Sequence, residues 1–455
     1  MNPLGFARNC CRLIWHVALL SFVLICVMAQ ASAEEKPFDS RPLPEPLTLE
    51  YALSQVKAAH PELQRIQAEI QAARAEEEIA ESATGINTKL EARMRYYQPS
   101  GGANNRIYDD HKLGIFVDKV IYDFGRSDLR VQAARKDIQS QQIKYQDSLA
   151  QRRIDIMRRY FDVVLADLQF YRYNEEMSVA FVNLDKLRDK NELGQVSDIE
   201  VLEQEAKYQK VRKKYIQSQN LQRISRARLA YSLGRPGQLS ATVARPENLP
   251  HLKRALPEVE VLQAQALEHN RSLQILRARI SAAQARINAA RADGKPVLSG
   301  GAEAGAYSKQ RARYDAWRVN LYFTVPLTTG GRVDAAMAKE RAVLYKLKAE
   351  LADREEQIRQ QILELWLQLD ALRIQREQTQ VESEYRELYL DRSRALYELE
   401  VKTDIGDAMV RVTEAEQQAL QTDYNIVLAW EQLDALTGGM ASSAAGQRKP
   451  QQTDH

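Results

Sequence analysis

Beyond residue 33 the histidines are His60, His111, His251, His269 and His455, and none stands beside a second ligand at the spacing of a metal site. There is no HExxH and no CxxC. The cysteines Cys10, Cys11 and Cys26 all lie within the first 26 residues. The glycines Gly300, Gly301 and Gly305 are not followed by the Lys-Ser/Thr pair of a phosphate loop, and they sit inside an alternating strand. Small side chains that ease strand packing or curvature are the simpler reading. The chain therefore reads as a non-enzyme without cofactor or metal. Its notable polar residues are of another kind: charges on one face of strands, and Asp404 with Asp407, spaced to share one helix face. In the first turn of a helix such a pair commonly complements the dipole.

The strands that hold the charges are short and two-faced. In Lys89 to Tyr97, Leu90, Met94 and Tyr96 alternate with Glu91, Arg93 and Arg95. In Trp317 to Val325, Trp317, Val319, Leu321 and Phe323 alternate with Arg318, Asn320 and Tyr322. Ala302, Ala304 and Ala306 oppose Glu303 and Tyr307, while Lys112 to Tyr122 alternates through Leu113, Ile115 and Val117 before losing parity. About ten residues, apolar on one face and polar on the other, suit an outer-membrane barrel strand; a half-solvated sheet has the same period. Four strands cannot close a barrel, which takes about eight, and lipid tolerates no open edge. Barrel strands thus imply an obligate oligomer.

The amino terminus agrees with export. Arg8 and Arg12 precede the apolar run Leu13 to Met28, and Ala31-Ser32-Ala33 follows, as in a cleaved secretory leader over residues 1–33. Ile25 stands before Cys26 where a lipoprotein leader needs a small residue, so no lipid anchor is expected. Losing the two arginines takes the formal charge from +3 to +1, which offers nucleic acid nothing.

The remainder is a two-fold repeat. His60-Pro61-Glu62-Leu63 is echoed by Asn270-Arg271-Ser272-Leu273, Gly125-Arg126 by Gly331-Arg332, Leu193 to Asp198 by Leu399 to Asp404, and Leu233-Gly234 by Thr437-Gly438, at offsets of 204 to 210. Each half reads as helix, two strands, a very long helix and a return helix. The first (34–235) has strands near 88–98 and 112–122 and helices near 124–191 and 197–233. The second (258–439) has strands near 297–308 and 315–327 and helices near 331–399 and 403–437. An equatorial linker, 236–257, joins them, and 440–455 reads as a tail. Ile154, Met157, Phe161, Val164, Leu168 and Tyr171 step as a heptad seam, as do Ile358, Ile362, Leu365, Leu369 and Leu372. Such helices reach roughly 100 Å.

In this order the segments resemble the outer membrane efflux protein family, whose type member is TolC. Leu47-Thr48-Leu49-Glu50-Tyr51-Ala52-Leu53 with Pro61-Glu62-Leu63 is similar to its opening helix, and Tyr122-Asp123-Phe124-Gly125-Arg126 and Val325-Pro326-Leu327 to Gly330-Gly331-Arg332 to its strand-to-helix junctions. The resemblance implies a mainly α fold of long antiparallel hairpins plus four strands per protomer. A homotrimer would close a twelve-stranded barrel in outer-membrane lipid above a periplasmic helical tunnel. It implies an exit duct for efflux or type I secretion, served by a periplasmic adaptor and an inner-membrane ABC, RND or MFS transporter. Glu91, Arg93, Arg95, Glu303, Arg318 and Asn320 would face its lumen. The periplasmic tip would be formed by the turns at Leu193 to Ser197 and Leu399 to Thr403, with Ser197 and Thr403 as caps. The family's tip latch falls on Tyr397, Lys402 and Glu200, whereas its aspartate ring falls on Gly406 and Met409, a departure that turns attention to Asp404 and Asp407, which in an implied trimer would form an acidic, cation-favouring constriction. The rival architecture is a periplasmic coiled-coil scaffold without a barrel.

Overall fold

The structure is a computed structural model that describes residues 42–57, 60–98, 107–238, 240–308, 315–399 and 405–439. The sheet is antiparallel and built without crossovers from β1 (Ile86–Arg93), β4 (Lys112–Tyr122), β5 (Val297–Tyr307) and β6 (Trp317–Thr324), in that order. A small ribbon of β2 (Tyr96–Tyr97) and β3 (Tyr108–Asp109) extends the first hairpin. The stretch from Lys89 to Tyr97, read as one strand, is thus broken after Arg93, where Met94 and Arg95 leave the ladder.

Helices make up the rest. They are α1 (Leu49–Ser54), α2 (Pro61–Ser82), α3 (Arg126–Glu192), α4 (Asp198–Ser232), α5 (Val259–His269), α6 (Arg271–Ala292), α7 (Arg332–Glu398) and α8 (Ile405–Thr437). The repeat is visible in how they begin. His60 caps α2 through Nδ1, accepting from Glu62 N at 3.3 Å, and Asn270 caps α6, accepting from Ser272 N at 2.9 Å. Both α3 and α7 are 67 residues long, about 100 Å. Each starts after two successive left-handed residues, Phe124 (φ 55) and Gly125 (φ 81) in one, Gly330 (φ 57) and Gly331 (φ 81) in the other. That pair turns a strand abruptly into a helix, and glycine at its second position avoids the cost of a Cβ in this region.

The two long helices change partners halfway along. Their first halves join α2 and α6 in an arc ordered α2, α3, α6, α7, and their second halves join α4 and α8 in an arc ordered α4, α3, α8, α7. The main core lies at the exchange point. Ile154, Met157, Phe161 and Val164 are buried there, and Phe161 stacks on Tyr424 of α8 with ring centres 4.0 Å apart. Tyr171, counted in the same seam, is 58% exposed. Below Leu168 polar contacts take over at this level, among them Arg172 to Glu414 at 3.2 Å and Lys214 to Glu176 at 3.5 Å. On α7, Ile358, Ile362, Leu369 and Leu372 are buried with Trp430.

The segment between α4 and α5 is strapped to this waist. The Tyr160 hydroxyl lies 2.9 Å from Leu47 O and 2.5 Å from Ala244 O, and Leu47 pairs with Val243. Burial pushes the Tyr160 phenol far above its ordinary range, which keeps it a donor. Farther along the strap, His251 and Arg254 reach Glu431 and Asp434 of α8.

Candidate functional site: a polar wall and its tip

Strand register turns the alternating sequence into rows. Lys89, Phe116, Glu303 and Arg318 form one row across all four strands. The row of Asn87, Asp118, Gly301 and Asn320 lies on one side of it, and Glu91, Gly114 and Gly305 form the row on the other. One face of the sheet therefore gathers Glu91, Arg93, Glu303, Arg318 and Asn320. Arg95 does not share it as a strand residue; it stands beyond the end of β1, with Nη1 3.9 Å from Asp110.

The charges on this face are paired across strands. Arg318 grips Glu303 with Nε at 2.7 Å and Nη2 at 3.0 Å, the two-pronged geometry of a strong guanidinium–carboxylate contact. Lys112 Nζ is 3.9 Å from Glu91 and 4.0 Å from the centre of the Phe116 ring, with Lys89 Nζ at 5.3 Å from the same ring. The glycines explain how the ring fits. A Cβ on Gly114 would meet Phe116 Cε2 at 3.4 Å, and one on Gly305 would meet Leu113 O at 3.0 Å, so Phe116 lies along a wall stripped of side chains. Phe116 was not among the residues singled out from sequence; its apolar type at a polar parity position was the available signal.

The opposite face carries Leu90, Ile115, Trp317, Val319, Leu321 and Phe323, all exposed. Lys119 shares its parity but sits opposite Ile86, the first residue of β1. A register shift between Val120 and Tyr122 follows. Together these account for the parity lost in the sequence of β4.

Below the sheet, α2, α3, α6 and α7 all line one open groove of about 840 Å³. Alanines such as Ala72, Ala133 and Ala289 alternate there with charge. Arg286 bridges Asp137 at 2.5 Å and Glu340 at 3.1 Å. Burial nevertheless pushes the Asp137 carboxyl upward. Where groove meets sheet, Asp293 collects Arg126 at 2.6 Å, Arg130 at 2.8 Å and Arg332 at 4.0 Å, joining the starts of both long helices to the end of α6.

At the far end of the long helices, Ser197 and Glu200 form a capping box: Glu200 Oε2 accepts from Ser197 N at 2.8 Å and Oγ at 2.9 Å, and Ser197 Oγ accepts from Glu200 N. The backbone and hydroxyl bonds from Ser197 hold the Glu200 carboxyl below its ordinary range. Gly194 turns the chain at φ 72. Tyr397 is exposed on the last turn of α7 and Asp407 on the first turn of α8. Lys402, Thr403 and Asp404 lie outside the described residues, so the latch and the acidic pair are each seen only in part. Gly406 faces α3: a Cβ there would come within 2.7 Å of Val179 Cγ2.

Among the described residues no helix is long and apolar enough to cross a membrane, and no cluster of His, Cys, Asp and Glu is suited to a metal ion. No curated protein matches the chain as a relative in sequence. The family model described as outer membrane efflux protein matches residues 52–235 and 262–439, one segment on each repeat. The structure is similar to the CmeC outer membrane channel of Campylobacter jejuni, at 12% identity over 86% of this chain and 85% of that one, TM-score 0.70. It is similar to the open-state MtrE outer membrane channel of Neisseria gonorrhoeae at 15% identity, 86% and 88% coverage and TM-score 0.66. The outer membrane protein VceC of Vibrio cholerae gives 18% identity, 85% and 93% coverage and TM-score 0.62.

Proposed function

The chain belongs to the outer membrane efflux protein family and is an outer-membrane exit duct of efflux pumps, and from that premise we propose that it works as a homotrimer enclosing one continuous water-filled path. The observation that carries this is the shape of each level. The sheet, the upper helical arc and the lower helical arc are all open, each ending in two different elements: β1 and β6, α2 and α7, α4 and α7. An exposed apolar sheet face implies lipid, and lipid does not tolerate the unpaired edges of β1 and β6. A rotational copy closes all three levels with one operation. Three copies of four strands give twelve, within the range of closed barrels.

In that assembly the face bearing Glu91, Arg93, Glu303, Arg318 and Asn320 lines the barrel and keeps it wet, with Arg95 near its outer rim. The alanine-and-charge groove of α2, α3, α6 and α7 continues the path toward the tip. There Asp404 and Asp407, tripled, form an acidic constriction, and Tyr397, Lys402 and Glu200 hold neighbouring turns together. Cargo moves passively. Energy comes from an inner-membrane ABC, RND or MFS transporter reached through a periplasmic adaptor, and a cleaved leader over residues 1–33 directs export. No catalytic step is assigned to the chain.

The test is single-channel recording of the purified protein in planar bilayers together with its mass in detergent. Discrete conductance steps from a trimer are expected. A water-soluble, non-conducting species would overturn the duct assembly in favour of a periplasmic scaffold.

A further inference from the structure

The second half of α7 carries a pattern that its own protomer does not use. Leu367, Ile374, Val381 and Leu388 stand seven residues apart, and each is more than half exposed. Three residues after each comes an acid: Asp370, Glu377, Glu384 and Asp391. A spacing of seven keeps each series on one side of a helix, and the offset of three sets the series side by side. This is a coiled-coil seam without its partner helix. Meanwhile α7 buries Ile362, Leu369 and Leu372, which lie on another face.

The opposite flank of the lower arc is α4, and its chemistry is complementary. Between Glu205 and Glu247 the chain has ten lysines and arginines and no acid. Some serve the protomer: Lys214 pairs with Glu176, and Arg226 with Asp167. Lys210 and Lys213 are exposed, and no ion pair joins either to a described residue. They share a stripe with the exposed Ile199, Leu202, Leu221 and Ile224.

The heights agree. At 1.5 Å per residue, Lys210 and Lys213 lie about 18 and 22 Å above the start of α4, and Glu384 lies about 21 Å above the end of α7. Leu221, at about 35 Å on the same stripe, matches Ile374 at about 36 Å. We propose that α4 of one protomer docks antiparallel on α7 of a second copy of this chain, the cations of Lys210 and Lys213 facing Glu384 beneath an apolar stretch formed by Leu221, Ile224 and Ile374. The inference rests on the trimer reading and specifies its lower seam. Because both charge rows are solvated before assembly, the seam is held by attraction that salt screens, and it is the part of the tunnel wall that loosens first as ionic strength rises.

The cysteines of the chain all lie within its first 26 residues, which makes disulfide trapping clean. In the full chain, Lys213→Cys with Glu384→Cys is expected to give covalent dimers and trimers on oxidation, reversed by reductant and absent in the parent. Lys213→Cys with Asp370→Cys, offset by about 20 Å along the helices, is expected to give none. Lys210→Glu with Lys213→Glu should lower the temperature at which the trimer dissociates, and adding Glu377→Lys with Glu384→Lys should raise it again. A trimer by mass that shows neither the cross-link nor the compensation overturns the seam and leaves the trimer standing. A protein that is monomeric in detergent overturns both.

Discussion

Gly406 has a hydrogen for a side chain because Val179 occupies the space beside it: a Cβ there would stand 2.7 Å from Val179 Cγ2. The residue falls where the family places an aspartate, yet in this chain the position faces α3. Gly406→Ala should therefore destabilise the protein by about 1–3 kcal/mol, the usual cost of overpacking, although alanine is the better helix former. Val179→Ala in the same molecule should recover most of the loss. Unfolding of the detergent-solubilised protein by heat or denaturant checks both, and a neutral Gly406→Ala would mean that the helices are not held this closely. A second residue-scale test concerns Glu431. Burial pushes its carboxyl up, but His251 at 3.7 Å and Arg153 at 3.5 Å outweigh that and bring it below 4.5. A depressed carboxyl contributes stability that is present above its unfolded value and lost as pH falls through the folded one. Acid unfolding should thus be shallower in Glu431→Gln than in the parent below about pH 4.5, with Glu431→Gln less stable at neutral pH. Parallel acid curves would remove Glu431 from the equatorial strap. None of this was legible in sequence: Gly406 read as a missing aspartate, and the Glu431 contacts join chain segments about 180 residues or more apart.

Elements were far easier to read. The heptads of α3 and α7, their freedom from helix breakers and the paired glycine junctions specify two long rods, because period and punctuation are local properties. The four strands were legible from alternation alone. What alternation could not give was where β1 stops or why β4 loses parity, since both depend on pairing: Met94 leaves the ladder, and β4 bulges between Val120 and Tyr122. The faces of β6 allow a direct comparison of two neighbours. Leu321→Arg puts a charge on the apolar face and should cost about 2–4 kcal/mol and reduce barrel assembly, whereas Asn320→Arg, on the charged face, should assemble normally. The yield of heat-resistant oligomer in outer-membrane fractions reports both. Equal yields would mean that the apolar face of this sheet does not meet lipid.

For the molecule as a whole, conduction depends on resistances in series, so a charge change matters in proportion to how narrow its level is. The twelve-stranded barrel of the proposed trimer is wide enough for water, and charges on its inner face pair with each other, as in Arg318–Glu303. At the tip the wall narrows to the turns and the starts of the returning helices in the proposed trimer, and among the described residues Asp407 is exposed on the first turn of α8. If three copies bring Asp404 and Asp407 together, the tip sets both the conductance and its preference for cations, because like charges in a constriction raise the local cation concentration. Asp404→Asn with Asp407→Asn should then lower the cation preference read from the reversal potential in a salt gradient, and relieve block by divalent cations. Arg318→Gln with Glu303→Gln should leave both nearly unchanged. The opposite ranking, with the barrel pair dominant and the tip pair silent, would place the narrowest charged level in the membrane and return Asp407 to its ordinary role of complementing the dipole of α8.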